Sequence, residues 1–301
     1  MKNTTLLIST ITLCFLQFHV FAQTSVPAII STDQVWDAAG SPYQITQNTF
    51  IDTGVSVKVM PGASMESMAG SFYLVVQGEL QLLGSVNSRI SVDNLELSFS
   101  PYATPYNTSD ESGCQIKYAD IENFGNRVRA VRCSNQSFLM ENTTIATGRV
   151  AFEANYQLMD SSFLYINNCK FLGTPTNDRR IFLVANTRRK FDIRNCEFRN
   201  ASSVDILGSG LFIKNELHNL VLARIHSYGN VEAQCNLFSQ LRNGLEVASL
   251  DGNIDFSNNT IDSSGHISGN SIFPMMFITT DSVMLQNVNS IKFRNNNYRS
   301  V

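Results

Sequence analysis

The stretch Asn253-Ile-Asp-Phe-Ser-Asn-Asn-Thr-Ile261 decides the fold, because near copies of it recur along the chain. FLMENTTI at 138 to 145, LYINNCKF at 164 to 171, FDIRNCEF at 191 to 198, IDFSNNTI at 254 to 261 and IKFRNNNY at 291 to 298 share one pattern: apolar, x, apolar, x, Asn, x, x, apolar. Two apolar residues two apart share one face of a short strand, the Asn marks a turn, and the last apolar residue is the next to face inward. Aligned on the turn residue, the copies fall at Asp120, Asn142, Asn168, Asn195, Asn215, Cys235 in the Asn place, Asn258 and Asn295. The successive steps are 22, 26, 27, 20, 20, 23 and 37 residues. Steps of about 20 to 27 fit one turn of a β-solenoid, three short strands with turns between them. The longest step needs an excursion, placed within Ser263 to Asn270.

A second set of strands lies between the Asn positions: Val150 to Glu153, Ile181 to Ala185, Leu220 to Ile225, Gly244 to Ser249 and Pro274 to Thr279. A leucine-rich repeat would show stricter Leu spacing and a helical segment, and a propeller blade would need about 40 residues. No run carries a 3.6-residue apolar stripe, so helix is scarce after the amino-terminal segment. The expected fold is all-β, a single right-handed parallel β-helix of about nine to eleven coils. Each coil lies about 4.8 Å above the last, so equivalent positions meet. Ile145, Phe171, Phe198, Phe238, Ile261 and Tyr298 then form one inward column. Asn142, Asn168, Asn195, Asn215, Asn258 and Asn295 form a ladder of side-chain amides that tolerates the strained turn. Two positions disturb it: Leu217 comes one place early after Asn215, and Cys235 replaces the amide.

The chain has 301 residues, 16% of them charged, and a formal net charge of -3, which argues against a general nucleic-acid binder. Met1-Lys2 and the apolar run from Leu6 to Phe21, with Val20 and Ala22 before the scission point, read as a secretory signal over residues 1–22. The mature part, 23–301, is then one domain that is secreted, periplasmic or held at the cell surface, with its cap and first strands in 23–60. No later run is apolar enough to span a bilayer. Without Cys14, five cysteines remain: Cys114, Cys133, Cys169, Cys196 and Cys235. Their odd number and the lack of a CxxC pair favour small buried side chains over a disulfide or zinc framework. Cys169 and Cys196 occupy the same place in successive repeats.

Trp36, Ser41-Pro-Tyr43, the alternating Val55, Val57 and Val59, and the turn Pro61-Gly-Ala63 mark the first strands. With Phe72-Tyr-Leu-Val-Val-Gln-Gly78-Glu-Leu-Gln-Leu-Leu-Gly84 and Arg89-Ile-Ser-Val92, this stretch resembles the opening of secreted bacterial right-handed parallel β-helix proteins of the pectin-lyase-like superfamily. The resemblance covers most of the mature chain and is specific for the fold only. Residues 100 to 113, SPYATPYNTSDESG, hold two prolines and no apolar periodicity, so they form a loop thrown out from the stack.

Catalytic β-helices that act on acidic polysaccharides use clustered carboxylates and a cation on the substrate carboxyl group. The mature sequence has no Asp-Asp pair, and the polygalacturonase motifs NTD, GHG and RIK do not appear; Arg224-Ile-His226 has the wrong ending. Asp160, Asp192 and Asp255 could still share a face. His218, His226 and His266 lack the near partners of a compact ligand set, so no metal site or cofactor is expected, and each His reads as a surface or turn residue. The distinctive charged feature is cationic: Arg127, Arg129 and Arg132, then Arg149, Arg179 and Arg180, then Arg188, Arg189 and Lys190. Aligning 148–155 with 179–186 puts Arg149 and Arg180 in one register, with Arg129 on the coil before. Stacked guanidinium groups suit the carboxylates or sulfates of a glycan. In the alternative, Glu153, Asp178 and Asp192 neutralise them.

The sequence therefore points to a non-catalytic binder of a polysaccharide or surface protein, with Arg129, Arg149, Arg180, Arg188, Arg189 and Lys190 as candidate ligand contacts. Its rivals are a lyase or glycosidase with a site assembled from separate coils, and a structural or adhesin spacer. Tyr298-Arg-Ser-Val301 follows directly on the last repeat, so the further expectation is either an end-on partner, such as self-association of the final coil, or a chain shorter than its relatives.

Overall fold

The computed structural model describes residues 23–67, 72–122, 129–134, 136–146, 149–153, 162–173, 180–242, 244–262, 276–280 and 290–299. Among them are 29 strands and no helix, and every strand-to-strand pairing is parallel. The chain winds as a parallel β-solenoid with three faces. The first face runs from Gln34–Trp36 through Phe163–Asn167 to Ser290–Arg294. The second runs from Thr24–Ser25 through Lys170–Leu172 to Asn297–Arg299. The third runs from Ile29–Ile30 through Arg149–Glu153 to Met276–Thr280. Three long strands, Arg180–Arg194, Glu197–Ile213 and Glu216–Gln234, bend round corners and serve more than one face each. The segment assigned to the longest step, 263 to 270, and the expected leader at 1–22 lie outside the described residues.

Alternation fixes which side of each strand is core. Along Phe163–Asn167, Leu164 and Ile166 are buried while Phe163, Tyr165 and Asn167 are half-exposed. A one-residue slip would turn the apolar set to solvent, so burial sets the register coil by coil. The inward column of the second face reads Ile121, Ile145, Phe171, Phe198, Leu217, Phe238, Ile261, Tyr298 in successive partners. It is the expected column as far as Ile261, with Leu217 taking the place between Phe198 and Phe238; Tyr298 keeps the register but is 52% exposed. Phenylalanines from two other columns pack against it: Phe182 stands 4.8 Å from Phe171 and 5.0 Å from Phe198, and Phe212 lies 6.3 Å from Phe198. At Gly210, φ is +139° and a Cβ would fall 1.9 Å from the Phe191 carbonyl oxygen of the coil below. Only glycine fits that approach of backbone to backbone.

The corner between first and second faces corrects the expected Asn ladder. Its left-handed residues are Tyr118, Asn142, Asn168, Asn195, Lys214, Cys235, Asn258 and Asn295, with φ from 51° to 56°. Asp120 is instead a strand residue paired with Thr144, and Asn215 stands one position past the turn. The corner residues from Tyr118 to Asn258 donate their backbone N–H to the next coil, as Asn142 does to Asn167 O at 3.1 Å and Lys214 to Gln234 O at 3.0 Å. These exposed amides touch only in places: Asn168 Nδ2 donates to Asn142 Oδ1 at 2.6 Å, and Asn195 Nδ2 to Asn167 Oδ1 at 2.9 Å.

The continuous ladder lies one residue further on, in the column Thr143, Cys169, Cys196, Asn215, Asn236, Asn259, Asn296, buried as far as Asn259 and half-buried at Asn296. Asn215 Oδ1 accepts from Cys196 N, Asn236 Oδ1 from Asn215 N and Asn259 Oδ1 from Asn236 N, each at 2.9 Å. Each amide nitrogen also donates backwards, Asn236 Nδ2 to Phe212 O at 2.8 Å and Asn259 Nδ2 to Ala233 O at 2.9 Å. Full satisfaction is what allows these amides in the core.

Earlier in this column, at Cys169 and Cys196, thiols replace amides. Cys169 Sγ donates to Asn167 O and Cys196 Sγ to Arg194 O, at 3.3 and 3.1 Å. Both are buried, as are Cys114 and Cys133, whereas Cys235 is exposed at its corner. Burial pushes the Cys114 and Cys169 thiols well above their usual range, so little thiolate forms. Of these five, Cys235 is expected to react first with a thiol reagent in the native protein, the others staying protected until unfolding. Peptide mapping after alkylation checks this, and early labelling of Cys169 contradicts it.

Candidate functional site

Outward positions on the first face form the column Gln81, Gln115, Leu139, Tyr165, Asp192, Leu211, Glu232, Asp255. Three of these are buried although they point away from the core: Gln81 at 6%, Gln115 at 2% and Leu139 at 6%. The loop expected over residues 100–113 is the cause, for it folds back as a flap over these coils. Thr104 N donates to Gly78 O at 2.8 Å, Tyr106 N to Ser137 O at 2.9 Å and Gln115 Nε2 to Glu111 O at 2.6 Å. The Lys117 ammonium, 2.7 Å from Glu111, holds that carboxyl below its ordinary range.

The column opens at Tyr165, beside the flap. Phe163 and Tyr165 stand off the same strand ring against ring, 4.3 Å apart and inclined by 22°, and Tyr106 of the flap meets Tyr165 edge-on at 6.0 Å. Burial raises the Tyr106 hydroxyl pKa, with the nearby Lys117 pulling the other way. The next coil sets Lys190 opposite Phe163, Asp192 opposite Tyr165 and Arg194 opposite Asn167. Lys190 is exposed, and Arg194 is paired with Asp192. The arrangement joins half-exposed aromatic surface to a cation and to side-chain donors and acceptors. Such a set recognises a ring with an apolar side and charged substituents.

A second polar cluster lies on the third face. Asp205, Arg224 and Glu246 occupy one register on three successive coils. Arg224 Nη1 is 3.3 Å from Asp205 Oδ1 and its Nε is 3.1 Å from Glu246 Oε2, while His226 Nε2 is 3.0 Å from Glu246 Oε1. Asp205 is 2% exposed. His226, expected at the surface or in a turn, is a half-buried outward strand residue held by a carboxylate that stacking, not sequence spacing, supplies. His218 likewise bonds Glu216 on its own coil and Ser239 on the next, and His266 lies outside the described residues. Among the described residues no group of three His, Cys, Asp or Glu is arranged to hold a metal.

The cationic group divides between faces. Arg129 and Arg149 are partners on neighbouring coils of the third face. Arg180 does not continue that register, because Val150 pairs with Phe182, one residue off the motif alignment. The core decides this: Phe182 and Val184 are buried, and the motif alignment would have turned both outward. Arg188 and Arg189 fall in the break between the paired positions Ala185 and Lys190, and Lys190 belongs to the first face. The side chains of Arg149, Arg180, Arg188 and Arg189 lie outside the described residues; Arg129 is half-buried, its N–H donating to Glu96 Oε2 at 3.3 Å. Asp192 and Asp255 share the first face as expected, and Asp160 lies outside the described residues.

Fold and site define a parallel β-solenoid with a flap-bordered aromatic and charged strip on one lateral face. No family model matches the sequence, and no curated protein matches it. Among solved structures the chain has a likeness to QnrB1, a plasmid-mediated fluoroquinolone resistance protein, in a trypsin-treated form. The likeness covers 86% of this chain and 92% of that one at 11% identity and a TM-score of 0.22. At that level nothing about this chain follows from it.

Proposed function

We propose that this chain is an exported β-solenoid that binds an acidic polysaccharide on its first face without converting it. The half-exposed Phe163 and Tyr165 pair with Lys190 on the next coil carries this reading. The aromatic surface takes the C–H side of a pyranose, and Lys190 offers a cation to its carboxylate or sulfate. The apolar run at Leu6 to Phe21 supports export.

In a retention assay on immobilised acidic and neutral polysaccharides, wild type is expected to be held by the acidic polymer. Tyr165→Ala should weaken binding at least about tenfold, a loss of about 1.4 kcal/mol. Lys190→Ala should weaken it less and flatten its salt dependence. Equal retention of wild type and Tyr165→Ala would defeat the proposal.

The third-face cluster favours a second reading, a hydrolase or lyase, because two carboxylates, an arginine and an imidazole converge there. It ranks second because Asp205 is buried and Glu246 spends both oxygens on Arg224 and His226.

A further inference from the structure

We infer that the first-face site recognises the end of an acidic glycan chain and not its interior; this rests on the glycan reading above. Coils rise by about 4.8 Å, close to the length of one pyranose unit, so a chain laid along the solenoid axis meets an equivalent position at every coil. The open strip is bounded at both ends. On the amino-terminal side the flap covers Gln81, Gln115 and Leu139, leaving each of them less than a tenth exposed, and Tyr106 stands as a wall against Tyr165. A chain cannot continue in that direction past Tyr165 without displacing a flap tied to three coils through Thr104, Tyr106 and Glu111.

On the carboxy-terminal side the column passes from Asp192, neutralised by Arg194, to the half-buried Leu211 and then to the exposed Glu232. A polyanion running on would meet that carboxylate three coils from Tyr165. The favourable stretch is therefore two to three units long, begins at a wall and ends where charge turns against the ligand. A terminal unit seated at Tyr165, with the rest of the chain leaving the face before Glu232, satisfies both limits. An interior segment would have to pass through the wall.

The test is competition for an immobilised polyuronate by the same soluble polymer before and after partial acid hydrolysis to about one-tenth of its length. End recognition predicts that the mass needed for half-inhibition falls about tenfold, in step with the number of ends, while the number of chains needed stays constant. Tyr106→Ala, with its fold checked by circular dichroism, should still bind and should show a smaller dependence on the number of ends. If shortened and intact polymer compete equally by mass, end recognition is overturned and glycan binding stands. If neither competes because wild type never binds the matrix, the glycan reading falls and the inference with it.

Discussion

Phe198→Ala is expected to lower the free energy of unfolding by about 3 to 5 kcal/mol. Phe198 is fully buried, stacked 4.9 Å from Phe171 at 8°, 5.0 Å from Phe182 and 6.3 Å from Phe212. The backbones of its coil are bonded above and below, through Phe171 on one side and Leu217 on the other. The ladders hold the coil spacing, so the cavity cannot close by moving a strand, and the cost should reach the upper part of that range. Because each coil contacts only its neighbours, the loss should fall first on the coils around Phe198. Denaturant unfolding followed by circular dichroism measures it; a loss under about 1 kcal/mol would mean that the ring does not fill the column.

Asn236→Ala should cost about 2 to 4 kcal/mol, from the unmet bonds of buried groups at about 1 to 3 kcal/mol each. The substitution removes the acceptor for Asn215 N and the donor to Phe212 O, and takes one of its partners from Asn259 Oδ1. Asn215, Asn236 and Asn259 are each essentially inaccessible, so water cannot replace the lost partner. The exposed corner gives the contrast. Asn258 holds its place through a φ of 55°, a conformation glycine adopts freely, so Asn258→Gly should change stability by less than about 1 kcal/mol. If Asn258→Gly proved the costlier of the two, the buried column would not be the structural ladder.

That pair of residues also shows how far the sequence could be read. The recurrence of NIDFSNNTI discloses strand, turn and inward hydrophobe, because period-two alternation and an Asn turn are local properties. Which Asn of a doublet is the constant one is not local. Asn258-Asn259 and Asn295-Asn296 fill both positions with the same residue type, so aligning on the first looks complete. Lys214-Asn215 and Cys235-Asn236 separate the two roles: there the corner accepts Lys or Cys and the interior carries the amide, whereas at Asn142-Thr143, Asn168-Cys169 and Asn195-Cys196 the corner is Asn and the interior is Thr or Cys. Leu217, one place early against Asn215, was the legible sign of that offset.

The sites were less legible for the same reason. Asp205, Arg224 and Glu246 are 19 and 22 residues apart, and those numbers gain meaning only when the register stacks them. The arginine series looked like one column because its motif repeats, yet core burial of Phe182 and Val184 shifted the register by one residue. Tyr165 was readable in principle. It occupies an outward position of the repeat, where the equivalent residues are Leu139, Asp192 and Asp255, and an aromatic residue there has no core to fill.

The most direct test of the functional account is a paired measurement on one acidic polysaccharide, following heat of binding and release of reducing or unsaturated ends together. Wild type, Tyr165→Ala and Glu246→Gln are compared. The account predicts binding by wild type and Glu246→Gln, at least about a tenfold loss in Tyr165→Ala, and no release of ends by any of the three. Release of ends by wild type that Glu246→Gln abolishes, with binding intact in Tyr165→Ala, would contradict it and move the function to the third face.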